Sequence, residues 1–252
     1  MEKNDAQEMT FWSHLDVLRS TIIRIIVVVL VAGCACFGFK DLLFKIVLAP
    51  ASGDFFMYRW MGGEPFHLHL INTELTEQFM IHMKVAFMAG TLIASPYILY
   101  ALFSFISPAL YQHERRHTSR IVAAAYVMFM VGVALNYLVI FPLTVNFLGT
   151  YQVSPDVESM LTISSYIDTL VMMSLVFGIV FEIPILAWLL ARFGLLSSHW
   201  MTHYRRHAIV VILIIAAIIT PTGDAFTLSI VSLPIWALYE ASILIVKAVE
   251  KR

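Results

Sequence analysis

The residues with the plainest chemical potential are His113-Glu114-Arg115-Arg116-His117. On a helix, imidazoles four apart share a face and the glutamate can act as a general base, the H-E-x-x-H pattern of zinc proteases. The setting opposes that reading. The motif follows Ser107-Pro108 in a polar loop, Arg115 and Arg116 put fixed positive charge beside a cation site, and no third ligand is evident on that side of the chain. A short pattern with two free positions also arises readily by chance. His199, His203 and His207 again stand four apart, but no carboxylate is near to orient the rings and Arg205 and Arg206 intrude. They read as interfacial side chains. His67 and His69 carry no specific signal.

Acids inside apolar runs are a different matter, since an insertion cost of about 2.5–3.5 kcal/mol usually has a reason. Glu182 falls near the middle of such a run, and Asp168 precedes it by 14 residues. At 100° per residue that separation leaves them roughly 40° apart, on one helix face. Three readings stand side by side: a proton relay, a polar docking spot for another helix, and a neutral glutamate hydrogen-bonded within a bundle. Glu240 lies near the end of the last apolar run, within reach of the interface. A Gly-rich phosphate loop, a G-x-S-x-G elbow and a basic–aromatic nucleic-acid stripe are all missing from the sequence. Nothing in it points to an enzyme, a cofactor or a metal.

The elements that must position these residues are set by composition. Of 252 residues, 60% are hydrophobic and 13% charged, against the ~25% charged share of soluble domains. Mean hydropathy is +0.83. So few charges cannot cover that much apolar area in water, and the low Gly, Pro and Cys counts exclude collagen, disorder and a disulfide scaffold. The expectation is an all-α integral membrane protein, one membrane domain over 1–252. Six transmembrane helices fall near 21–39, 79–106, 119–141, 166–190, 205–219 and 225–246, the fifth and sixth short. The apolar centre of the fifth, Ala208–Ile219, has 12 residues and reaches only ~18 Å. It crosses if the bilayer thins or arginines snorkel, or else it forms a re-entrant hairpin. Lys40–Leu48 spaces its charges to leave an apolar stripe, an interfacial helix ended by Pro50.

Six spans place both termini on one side, and basic residues say which. Three lie at or before Arg24, three in Ser107–Arg120, three in Arg192–Arg206 and three from Lys247 onward; the other face has Lys40, Lys45 and Arg59. Both termini are therefore expected in the cytoplasm. Val31-Ala32-Gly33-Cys34 is like a lipoprotein cleavage box, but three basic and four acidic groups precede it, the wrong balance for a signal peptide, so an uncleaved first helix is expected. Cys34 and Cys36 are about 200° apart on a helix and cannot bridge each other.

Several stretches together resemble the TatC family, the multispanning subunit of the twin-arginine (Sec-independent) protein translocase. Ser13-His14-Leu15-Asp16-Val17-Leu18-Arg19 is similar to the family's S-H-L-x-E-L-R. Ala94-Ser95-Pro96-Tyr97-Ile98-Leu99-Tyr100 and the run from Phe105 through Ser107-Pro108-Ala109-Leu110-Tyr111-Gln112-His113-Glu114-Arg115-Arg116 are close throughout. Phe177-Gly178-Ile179-Val180-Phe181-Glu182-Ile183-Pro184 matches F-G-x-x-F-E-x-P, and Thr220-Pro221 with Asp224 follows the family's T-P-P-D turn. The resemblance runs in order from Ser13 to Glu240. It also makes the zinc pattern accidental, because His-Glu-Arg-Arg belongs to the family motif.

The resemblance implies a receptor and core subunit that binds twin-arginine signal peptides at the cytoplasmic face and initiates export of folded proteins, drawing on the proton motive force. A guanidinium pair seeks carboxylates in planar bidentate geometry. The family places Glu114 and Phe105 in that signal site, with Asp16, Arg19, Pro108, Tyr111 and Arg115 around them. An exposed pair would contribute only ~0–1 kcal/mol, so the peptide's apolar stretch must bind as well. Glu182 is implied as a docking point for the single-span partners TatA and TatB, and Pro184, Pro50, Asp224 and Pro221 take docking or structural roles. Self-association in a multimeric complex in a prokaryotic inner membrane is implied too, with no nucleic-acid partner. Three positions depart from the family: Val17 stands where it has Glu, with Asp16 one residue earlier; Thr220–Asp224 has one residue more than T-P-P-D; and Leu228 replaces a Gln of some relatives. The rival reading is a proton-coupled small-solute transporter using Glu182 and Asp168.

Overall fold

A backbone that crosses hydrocarbon must satisfy its own N–H and C=O groups, so the apolar runs become long helices. The computed structural model describes residues 11–61, 68–106, 118–151, 160–220 and 224–251. Helix α1 (Phe11–Phe37) is followed by the short amphipathic α2 (Lys40–Val47), a 3-10 turn at Ala49–Ala51 that Pro50 enters, and α3 (Phe56–Met61). Strand β1 (Leu70–Ile71) leads into the 30-residue α4 (Glu77–Ile106). Helix α5 (Thr118–Leu135) passes through a π turn at Asn136–Ile140 into α6 (Phe141–Thr150). After β2 (Leu161–Thr162) come α7 (Ile163–Val180) and α8 (Ile183–Arg192), then α9 (Ser198–His203), α10 (Arg205–Ile219) and α11 (Ala225–Glu250).

Among the described residues, five helical segments are long and apolar enough to cross a membrane: α1, α4, α5 with α6, α7 with α8, and α11. The sixth, α10, has 15 residues, about 22 Å against a hydrocarbon core of ~30 Å. The fold is an all-α membrane protein, and α10 is as short as its apolar run predicts.

Three boundaries differ from the expectation, each for a local reason. The third span does not stop before Pro142 but runs on to Thr150. In the π turn the Phe141 N–H donates to the Asn136 carbonyl five residues back, so Pro142 enters the first turn of a restarted α-ladder, where its missing N–H is harmless. The fourth span is two helices, because Pro184 has no N–H for the Val180 carbonyl and the chain turns at Phe181–Glu182. The last helix is not short; it has 26 residues. Its polar end is held by the Glu250 carboxylate, which accepts the Ser198 N–H at 2.7 Å and the Ser198 hydroxyl.

Helix α4 packs along α1, and also meets α5 and α7. The α1–α4 crossing is set by glycine. A Cβ on Gly90 would lie 2.6 Å from Gly33 Cα, so only hydrogen lets the two backbones approach this closely. Between the third and fourth spans, Asn136 Nδ2 donates to Ser174 Oγ at 2.9 Å, both residues fully buried. The connections before α4 and α7 join through a parallel pair, Leu70 with Leu161 and Ile71 with Thr162. Beside it the buried Glu77 carboxylate accepts the N–H groups of Thr73 (2.8 Å), Glu74 (3.2 Å) and Ser164 (3.1 Å).

Gly90→Leu should therefore loosen α1 from α4, with an overpacking cost of about 1–3 kcal/mol. Thermal unfolding in detergent should show a clearly lowered midpoint. Gly38→Ala, where the added Cβ finds its nearest neighbour at 3.6 Å, should leave the midpoint where it is; equal behaviour of the two would refute the close-approach account.

Candidate functional site

Pro96 stands inside α4 and cannot donate to the carbonyl of Leu92. The Ser95 hydroxyl takes that place, donating to Leu92 O at 2.7 Å. Helix α4 thus stays continuous and forms one wall of a groove with α7 and α8. The groove's outer part, about 360 Å³, is lined by Met80, Met83, Lys84, Phe87, Thr91 and Leu175 among others. Thr91 and Leu175 also line the inner part, a cleft of about 390 Å³ that includes Ser95, Ile98, Phe129, Ile179 and Glu182.

Glu182 lines the inner part of this groove, while Asp168 reaches its outer part only through Lys84, and the two acids are in different states. Asp168 is exposed and accepts from Lys84 Nζ at 2.6 Å. Glu182 is 7% exposed, and neither carboxylate oxygen has a hydrogen-bond partner among the described residues. Its backbone does make the turn: Glu182 N–H donates to Ile179 O, and its carbonyl accepts from Ile185 and Leu186. Fourteen residues separate the two acids, roughly 21 Å along helices, too far for direct proton transfer.

Opposite the start of α1 and the end of α11, three phenols anchor the connection between α1 and α4. Tyr58 OH donates to the carbonyl of the buried Pro50 at 2.8 Å and reaches Pro142 O at 3.3 Å. Tyr137 OH donates to Ile46 O at 2.6 Å and Tyr166 OH to Val47 O at 3.0 Å. Burial pushes the Tyr58 phenol above its usual range, which keeps it a donor.

On the other face Asp16, Val17 and Arg19 are all exposed on α1, and Phe105 is half-buried at the end of α4. Glu114, Pro108, Tyr111, Arg115 and Pro221 lie outside the described residues, as does the rest of the His113–His117 motif. Among the described residues no three His, Cys, Asp or Glu side chains gather as a metal site. His199 and His203 stack on each other, and His207 lies against Tyr204. Glu240 is not simply turned to the interface: Arg205 Nη2 donates to it at 2.8 Å, joining α10 to α11.

A sequence model of the family described as "Sec-independent protein translocase protein (TatC)" matches residues 13–234. The chain belongs to the TatC family. It is 32% identical to the Sec-independent protein translocase protein TatC of Blattabacterium sp. subsp. Periplaneta americana, covering 99% of each chain. The Koribacter versatilis TatC is 35% identical, with 93% of this chain and 84% of that one covered. Among solved structures, the crystal structure of the twin-arginine translocase receptor TatC superposes with a TM-score of 0.79 at 31% identity, over 94% of this chain and 99% of that one. The chain is thus a core subunit of a twin-arginine translocase, and the solute-transporter reading is not favoured.

The TatC motifs acquire physical reasons here. Ser95-Pro96 replaces one hydrogen bond with another, and Phe181-Glu182-Ile183-Pro184 ends one helix and starts the next. Asp224 is the N-cap of α11, its Oδ1 accepting the Thr227 N–H at 2.7 Å, so the extra residue in the Thr220–Asp224 turn leaves the cap in place. The partners that sequence reading missed are Lys84 for Asp168 and Arg205 for Glu240. Opposite charges at the edges of separate apolar runs were the available signal.

Asp224→Ala should raise amide hydrogen exchange at Thr227 and Leu228 and destabilise the protein by about 1 kcal/mol. Asp224→Asn should restore most of the protection. Unchanged exchange in the alanine variant would remove the capping role.

Proposed function

We propose that this chain binds twin-arginine signal peptides and hands their folded cargo on to single-span partner subunits. Membership of the TatC family over residues 13–234, with the likeness to a solved twin-arginine translocase receptor, supports the receptor role. The peptide's two guanidinium groups meet Glu114, with Phe105, Pro108, Tyr111, Arg115, Asp16 and Arg19 forming the surround. Asp16 is exposed beside Val17, so it supplies the carboxylate that the family carries one residue later. Because exposed ion pairs contribute at most about 1 kcal/mol, the apolar part of the signal peptide adds the rest of the affinity along the helices.

Both termini lie in the cytoplasm by the distribution of Lys and Arg, in the inner membrane of a prokaryote. The chain works without catalysis, cofactor or nucleic acid, and the proton gradient supplies the driving force. The second half of the proposal rests on Glu182. A buried carboxyl with no partner among the described residues, flooring an apolar cleft, favours a transmembrane helix that brings a polar side chain to the same depth. TatA and TatB type subunits are the occupants, in a complex that also contains further copies of this chain.

A photo-crosslinker at position 114 should capture a twin-arginine signal peptide, and capture should fall to background when Arg-Arg becomes Lys-Lys. Persistence with Lys-Lys would sink the receptor reading. Separately, cysteine crosslinks from Ile179 to a single-span partner should vanish in Glu182→Leu and survive in Glu182→Gln. Full crosslinking in the leucine variant would show that the carboxyl has no part in docking.

A further inference from the structure

Helix α2 has three faces. Leu43 and Val47 pack against the bundle core. One residue earlier in each turn, Leu42 and Ile46 are 57% and 48% exposed, and one residue earlier again Asp41 and Lys45 are exposed as well. Successive side chains point about 100° apart around a helix. Buried apolar, exposed apolar and charged faces therefore follow one another around α2. A helix between a protein core and water needs only the first and the last. Phe39, just before the helix, is 64% exposed and adds to the middle face.

Helix α3 repeats the pattern. Met57 and Tyr58 are buried, whereas Phe56 and Trp60, four apart and so on one side, are exposed, Trp60 at 77%. Arg59 beside them lies 3.8 Å from Asp54. These faces are held in place: the phenols of Tyr137, Tyr166 and Tyr58 fasten the carbonyls of Ile46, Val47 and Pro50 to the bundle.

What lies against the middle face follows from where α2 begins. No residue from Ile25 to Phe39 is charged, and Val27, Leu30 and Val31 in that run are exposed, so α1 meets acyl chains there. Only Gly38 and Phe39 separate the two helices. The backbone stays hydrogen-bonded through the bend, Phe39 N–H donating to Cys36 O at 2.9 Å and Leu43 N–H to Phe39 O at 3.1 Å. The lipid that covers α1 thus reaches the first turn of α2. Leu and Ile on one face, charges on the next, and Trp and Arg close by are the composition of a segment lying in the membrane interface.

We propose that α2 and α3 are seated in the bilayer leaflet at the C-terminal end of α1. Phe39, Leu42 and Ile46 lie against acyl chains, Phe56 and Trp60 lie at headgroup level, and Asp41 and Lys45 face water. Through Tyr58, Tyr137 and Tyr166 this seat fixes the depth of the third and fourth spans. It involves neither the Glu114 surround nor the Glu182 cleft, and so is independent of both docking readings.

The test uses the full chain with Cys34 and Cys36 changed to Ala, carrying a nitroxide at L42C, K45C, I46C or W60C, in phosphatidylglycerol–phosphatidylcholine vesicles. Power saturation compares collisions with oxygen, which concentrates in hydrocarbon, and with a neutral nickel chelate, which stays in water. The oxygen-to-nickel ratio should be about tenfold higher at 42 and 46 than at 45, with 60 between them. A ratio at 42 and 46 as low as at 45 would mean that the face meets water. Collisions with neither reagent would mean that a second copy or another protein covers it. Either result overturns the proposal. If the cysteine-free chain fails to fold, benzoylphenylalanine at position 42 of the parent chain decides. Irradiation in the same vesicles should add the mass of one phospholipid, and a chain–chain adduct or no adduct overturns the proposal.

Discussion

A carbonyl that loses its N–H partner inside hydrocarbon cannot turn to water, and this condition shapes every irregularity in the bundle. Four prolines fall within the spans, Pro96, Pro142, Pro184 and Pro234, and the first three are answered differently. At Pro96 a neighbouring hydroxyl, Ser95, takes over the orphaned Leu92 carbonyl and the helix continues. At Pro142 the ladder widens by one residue through the π turn and then restarts. At Pro184 the helix stops, turns at Phe181–Glu182, and begins again. The first two solutions keep the helical segment continuous. The third changes direction, and it does so where Glu182 enters the cleft.

The same condition governs the helix ends, where several backbone groups are met by side chains held at fixed depth. Phenols serve as donors, with Tyr58, Tyr137 and Tyr166 meeting carbonyls between Ile46 and Pro50. Carboxylates serve as acceptors: Glu77 collects the N–H groups of Thr73, Glu74 and Ser164, Asp224 caps α11, and Glu250 receives Ser198. His82 Nε2 lies 3.1 Å from the Phe37 carbonyl at the end of α1, its ring stacked on Phe37. A small supply of polar residues thus fixes the connections on both faces, which leaves the intervening helices free to be almost wholly apolar.

These solutions differ in how far a sequence reveals them. The apolar runs and the short fifth helix are visible because length and hydropathy are one-dimensional properties. The amphipathic α2 is visible through its charge spacing. The π turn is not visible: Asn136–Ile140 reads as ordinary helix, and Pro142 after it reads as an exit. Which charges meet is equally hidden, because Lys84 and Asp168 are 84 positions apart and only the α4–α7 packing joins them.

Pairing, once known, sets Glu182 apart. Of the acids carried within or at the ends of the spans, Asp168 has Lys84, Glu240 has Arg205, Glu77 has three backbone amides and Glu250 has Ser198. Each of these lies near a span end, where water already lowers the cost of a charge. Glu182 lies deepest, where an unpartnered polar group costs most, and it is the buried acid whose two oxygens both find no partner among the described residues. On the docking role proposed for Glu182, this open carboxyl is the group that a partner would satisfy from outside the chain. The groove carries the same logic: Ser95, the residue that repairs α4, lies in the same cleft wall, so the device that keeps the helix continuous also keeps the approach to Glu182 smooth and apolar. Under that proposal a helix entering there would find van der Waals contact along its length and one hydrogen-bonding group at mid-depth, and a single polar residue in the right register would distinguish it from bulk lipid and from other apolar helices.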